Sequence, residues 1–152
     1  MEKLASSVTI MLALLVSLII LYLGIQHVSK NSISLADRLW VRLPFSLYLG
    51  WICVASIVNI SVALYASDWN RLGLSEEAWT FIMLAAAALL AFRVGIRYRD
   101  WAYTAVFVWA FIAIGINNGD HPVIARSAYV LAAVLLVFAL YVLIRSGRRG
   151  KM

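Results

Sequence analysis

The chain has 152 residues, 64% of them hydrophobic and only 13% charged, with a formal net charge of +6. Soluble domains are usually about 45–50% apolar and about 25% charged, so a soluble fold of this size could not hide so much apolar surface, and lipid must be the solvent for most side chains. The positive balance does not point to nucleic acid, because the basic residues sit at the ends of apolar runs and form no basic patch interleaved with exposed polar surface, as nucleic-acid binding would need.

Five apolar runs predict an all-α membrane protein: a bundle of about five transmembrane helices, folded as one domain over residues 1–152. The period-two alternation of a membrane barrel is absent. The first run covers residues 4–25. Its apolar core exceeds the about 7–15 residues of a signal peptide, and no A-x-A-like site follows Gly24, so it is expected to be a retained helix.

The second run, 45–65, begins behind Pro44, where a first-turn proline is tolerated. Tyr48, Trp51, Ala55 and Asn59 fall at i, i+3, i+7 and i+11, on one helical face. The Asn59 amide lies deep in an apolar run and must find a partner, either another helix or a polar ligand group. Tyr48 and Trp51 can stack on a flat ring and offer one hydrogen bond each; an interfacial belt with helix–helix glue is the alternative. Cys53 is the single cysteine, so it makes no internal disulfide or cysteine-based zinc site, and it reads as a small buried apolar residue.

The third helix is expected over 78–96. Ser75 suits an N-cap, with Glu76 and Glu77 at the positive end of the dipole. Its apolar part is short, and Glu77 and Arg93 can snorkel at its ends. Ala87, Ala91 and Gly95 form a small-xxx-small stripe for close packing, within the chain or in a homodimer. The fourth helix, 101–116, has Asp100 as its N-cap and carries Trp109 deep in the run. A polar turn, Asn117 to His121, leads through Pro122 to the fifth helix, 123–144, and a basic tail with Gly147 and Gly150 is expected to fray. Trp40, Trp69, Trp79 and Trp101 sit near run ends, as interfacial aromatics do. Val137, Tyr141 and Arg145 match a pattern proposed for sterol contact; Arg99, Tyr103 and Val106 match its reverse.

Ten of the 13 Lys and Arg residues fall on one side of this arrangement: Lys30, Arg38, Arg42, Arg93, Arg97, Arg99, Arg145, Arg148, Arg149 and Lys151. Lys3, Arg71 and Arg126 fall on the other. The bias puts the N-terminus outside and the C-terminus in the cytoplasm, with a bacterial inner membrane as the expected setting.

No charged residue lies deep in any run, whereas pumps and ion-coupled transporters need intramembrane acids, His or Lys. Phosphate-binding, zinc-protease and serine-hydrolase motifs are absent. His27 ends the first helix, and Asp120 with His121 reads as a hydrated turn, so no metal site and no catalytic residue are expected.

The stretch Pro44 to Asn59, with its aromatic after proline, Tyr48-x-x-Trp51, Ala55 and Asn59, resembles the last helix of the TspO/MBR family of tryptophan-rich sensory proteins, which are related to the translocator protein. Arg42-Leu43-Pro44-Phe45, Trp69 to Ser75, Arg99 to Tyr103 and Val108 to Phe111 resemble a longer branch of that family, over about residues 8 to 140. The Phe-Pro-x-x-Trp-type motif that the family carries on an earlier helix is not in this sequence, so the likeness is to the C-terminal half of the long form. The resemblance implies a flat hydrophobic ligand, a tetrapyrrole (porphyrin) or sterol-like lipid, bound by a sensor or carrier. Tyr48, Trp51, Ala55 and Asn59 match the family's positions, and Trp109 is the next candidate contact. Beyond that ligand no cofactor is implied. Enzymatic tetrapyrrole degradation would need a positioned proton-transfer group, which no run supplies, so the expectation is not an enzyme. The competing expectation is an assembly module without a ligand.

Overall fold

Backbone N–H and C=O groups in hydrocarbon must be bonded within their own segment, and the helix does this locally. The computed structural model describes residues 2–28, 38–66, 73 and 75–148, almost all of them helical, with no strand among the described residues. In chain order these are α1 (Glu2–Val28), a π-helical turn (Arg38–Arg42), α2 (Leu43–Ala66), α3 (Glu76–Tyr98), α4 (Trp101–Asn117) and α5 (Pro122–Arg148). The tail expectation is corrected at Gly147, which lies inside α5. Lys30, Gly150 and the stretch Trp69 to Leu72 lie outside the described residues.

Four spans are long and apolar enough to cross a bilayer: Ser6–Ile25, Trp40–Leu64, Glu76–Tyr98 and Pro122–Arg145. α4 is equally apolar but has 17 residues. At about 1.5 Å per residue it is roughly 26 Å long, a little less than the roughly 30 Å hydrocarbon core. The chain is therefore an all-helical membrane protein of about five apolar helices. Its serine and threonine hydroxyls suit that solvent. Ser17, Ser56, Ser61, Thr80, Thr104 and Ser127 each donate to the carbonyl four residues back, at 2.7–3.1 Å, so no partner outside the helix is needed.

The helices group into two compact units, α1 with α2 and α3 with α4 and α5. In the first, α1 packs along α2. Leu18 and Tyr22 from α1, and Leu49, Ile52 and Cys53 from α2, are buried, with Ser46 and Ser56 among them. The π-helical turn runs straight into α2. Pro44 accounts for the widened turn: it lacks an N–H, and its ring crowds the carbonyl four residues back, at Trp40.

In the second unit α4 is the central element, buried over most of its circumference. Tyr103, Phe107, Phe111 and Thr104 are among its largest fully enclosed side chains. α5 runs along α4 on Ala125, Ala128, Ala132, Leu135, Ala139 and Val142, all buried. Their alternating three- and four-residue spacing is a heptad seam made mostly of alanine, so the two backbones approach closely. α3 contributes Leu84, Ala87, Ala88, Ala91 and Gly95. The small-residue stripe is thus taken up inside the unit. At Gly95 an added Cβ would stand 2.7 Å from both the Phe138 ring and Thr104 Oγ1, so α3, α4 and α5 converge on a position that only hydrogen fits.

The caps set the connections. The Ser75 side chain accepts from the Ala78 N–H at 3.2 Å and starts α3. Arg99 ends it in the left-handed conformation, at φ 51° and ψ 44°. Asp100 then starts α4 by accepting from the Tyr103 N–H at 3.1 Å. Two residues therefore suffice to turn the chain back on itself.

Candidate ligand face and the family

α2 presents the sequence-predicted residues on its open side. Tyr48 is 47% exposed and Trp51 53%, and Val58 and Val62 continue the same exposed face. Ala55 and Asn59 are partly buried at its edge. At about 100° per residue, Tyr48, Trp51, Ala55 and Asn59 span a sector of roughly 80°, while Leu49, Cys53 and Ser56 point the other way, into the core with α1.

Asn59 is the polar anchor of this face. Its Nδ2 donates to Ser7 Oγ at 3.1 Å and contacts Met11 Sδ at 3.1 Å, both on α1. Of the two partners left open by the sequence, the neighbouring helix is therefore realised for the amide N–H₂. The amide oxygen accepts no hydrogen bond among the described residues. Asn59 lies two turns beyond Trp51 and three beyond Tyr48, roughly 12 and 16 Å along the same face, so its oxygen can take a donor only from an extended molecule that lies along α2. Ser7 and Met11 were missed by sequence reasoning. The available signal was a hydroxyl and a thioether one helical turn apart near the start of α1, where Ser6 and Thr9 are equally polar neighbours.

Trp109 belongs to the other unit, on α4, and is 68% exposed. It heads a narrow outward stripe with Ile112 and Ile116, the one sector of α4 that its neighbours leave open. On α5, Val137, Tyr141 and Arg145 share an exposed face, and Arg145 Nη1 donates to Tyr141 Oη at 2.6 Å. The reversed pattern presents no such surface, because Tyr103 and Val106 are buried. No group of three metal-ligating side chains occurs among the described residues.

Apolar helices with bilayer-spanning length, internally satisfied hydroxyls and an aromatic-amide face define a polytopic membrane protein. The chain belongs to the TSPO-like protein family, whose model matches residues 1–141. No curated protein and no solved structure matches the chain.

Proposed function

We propose that the protein binds a flat hydrophobic ligand, a tetrapyrrole or sterol-like lipid, and acts as a sensor or carrier instead of an enzyme. One observation carries the reading: Tyr48 and Trp51 stand half exposed on the same face of α2 as Asn59, whose amide N–H₂ is held by α1 and whose oxygen accepts no hydrogen bond among the described residues. A side chain already fixed by its neighbours loses little freedom on binding, which favours a preformed contact. The rings supply stacking area, Ala55 leaves room between them and Asn59, and the amide oxygen orients one polar edge of the ligand. Trp109, exposed on α4 of the other unit, is by itself a further candidate stacking surface. In this reading the protein sits in a bacterial inner membrane with its C-terminus in the cytoplasm.

The test is a titration of the detergent-purified chain with protoporphyrin IX, followed by tryptophan fluorescence, with Trp51→Phe and Asn59→Ala alongside. Saturable quenching that weakens about two- to tenfold in Trp51→Phe fits the value of one aromatic contact and supports the reading. Equal quenching in all three proteins sinks the site.

A second reading, an assembly module without a ligand, is favoured by the Asn59–Ser7 bond, because it gives the amide a purely structural role. A homodimer through Ala87, Ala91 and Gly95 would have to open the three-helix unit that already buries them. Crosslinking that yields only monomer, together with saturable ligand binding, would dispose of this alternative.

A further inference from the structure

α3 and α5 run in the same direction within their unit, with α4 returning between them, so the C-terminal ends of α3 and α5 lie at one end. That end carries Arg93 and Arg97 from α3, Arg99 at its C-cap and Arg145 from α5, all exposed. Of the four acids between residues 76 and 148, Glu76, Glu77 and Asp120 lie at the opposite end. The fourth, Asp100, is buried, with its carboxylate directed at the Tyr103 N–H. The unit is thus strongly polarised, and its basic end is lined with half-buried aromatics at Tyr98 and Trp101, the residue types that settle at the headgroup level.

The arginines also have a defined arrangement. Phe138 meets Gly95, which fixes the register between α5 and α3. Tyr141 and Arg145 follow one and two turns later, within roughly 60° of Phe138 around α5, so both stand exposed at the edge of α5 next to the Phe138–Gly95 contact. The Arg145 guanidinium donates to Tyr141 Oη at 2.6 Å and stands 5.8 Å from that ring's centre. A guanidinium held at one nitrogen keeps its remaining N–H donors in a fixed fork suited to a phosphate. Below it, exposed Val130, Val134 and Val137 form an apolar track of the kind an acyl chain covers.

We propose that this end of the unit binds the phosphate of an anionic phospholipid, with Arg145 and Arg99 on the headgroup, Tyr141 orienting Arg145, and an acyl chain along the α5 valines. Charge complementarity selects an anionic over a zwitterionic headgroup, and the apolar track selects a lipid over a free phosphate. The residues of this site all belong to the second unit, whereas Tyr48 and Trp51 belong to the first.

The test is native mass spectrometry of the full chain in dodecyl maltoside with added phosphatidylglycerol or phosphatidylcholine of matched chains. Wild-type protein retains phosphatidylglycerol preferentially, Arg145→Gln and Arg99→Gln each lower that retention about fivefold, and the double variant falls to the phosphatidylcholine level. Arg126→Gln, at the opposite end, leaves retention unchanged, and circular dichroism confirms that each variant is folded. Equal retention of the two lipids, or an Arg126→Gln loss as large as that of Arg145→Gln, overturns the proposal. Displacement of the lipid by millimolar glycerol phosphate would assign the site to free phosphate, and displacement by cholesterol to a sterol; either result also overturns it.

Discussion

Gly95 and Gly115 look alike in sequence, each a glycine in an apolar helix, yet they tolerate a methyl group differently. At Gly95 the new Cβ meets Thr104 Oγ1, fully enclosed, and the Phe138 ring, which itself packs tilted against Phe92 with ring centres 4.9 Å apart. Nothing there can move cheaply, so Gly95→Ala is expected to cost about 1–3 kcal/mol, the usual range for overpacking. At Gly115 the contact is the Tyr129 ring at 2.8 Å, but Tyr129 is 44% exposed and its ring can swing outward. Gly115→Ala should therefore cost less than about 1 kcal/mol. Denaturation in mixed micelles, comparing the two variants, checks the ordering; equal losses would contradict it. Asn59→Leu removes the bond to Ser7 and is expected to cost about 0.6 kcal/mol, up to about 1.7, the range measured for side-chain hydrogen bonds between membrane helices. Ser7→Ala should then add little in the Asn59→Leu background, which a double-mutant cycle reads directly.

The helices and their starts were legible in the sequence because their causes are local. Asp100 sits directly before an apolar run and Ser75 directly before Glu76 and Glu77, and they cap α4 and α3 as their side chains predict. Loss of these caps is testable: Asp100→Ala should destabilise by about 1–2 kcal/mol and Ser75→Ala by less, since the first cap is buried and the second exposed. Asp100→Asn keeps an acceptor and should recover most of the loss. The π-helical turn before α2 was not legible, although its cause, Pro44, was in plain view. A proline can start a helix or widen the turn before it, and the choice depends on whether the preceding residues are already coiled. The use of Ala87, Ala91 and Gly95 was equally open, because small residues signal close approach without saying which helix approaches. For the candidate face, the sector containing Tyr48 and Trp51 followed from helical spacing alone. The Asn59–Ser7 pairing joins residues 52 apart, and no periodicity within one helix encodes it.

At the scale of the molecule, the sequence carried an all-helical membrane fold and its family through composition and motif. It did not carry the division into an α1–α2 unit and an α3–α4–α5 unit, which is a matter of which apolar faces meet. The charge asymmetry does make a global prediction. If the arginine-rich end is cytoplasmic, an alkaline phosphatase fused after Met152 should be inactive and a fluorescent protein there bright, and the reverse pattern would invert the proposed orientation. The two short connections of the second unit differ in a way that bears on how the chain enters the membrane. The α3–α4 bend is flanked by Arg97, Arg99 and Asp100. The α4–α5 bend, by contrast, has no Lys or Arg from Asn117 to Ile124, and it ties up its own polar groups: the Asn118 N–H and Nδ2 both donate to the Ile114 carbonyl, and the His121 N–H donates to the Asn118 carbonyl. Each arginine carried through the bilayer centre costs about 2.5–3.5 kcal/mol on the insertion scale. Asp120 is the one charged side chain of the α4–α5 bend and costs about the same on that scale, against Arg97, Arg99 and Asp100 at the α3–α4 bend. If the arginine-rich end is cytoplasmic, the α4–α5 bend is the less costly one to thread across, and α4 and α5 are expected to enter as a hairpin led by Asn118–His121.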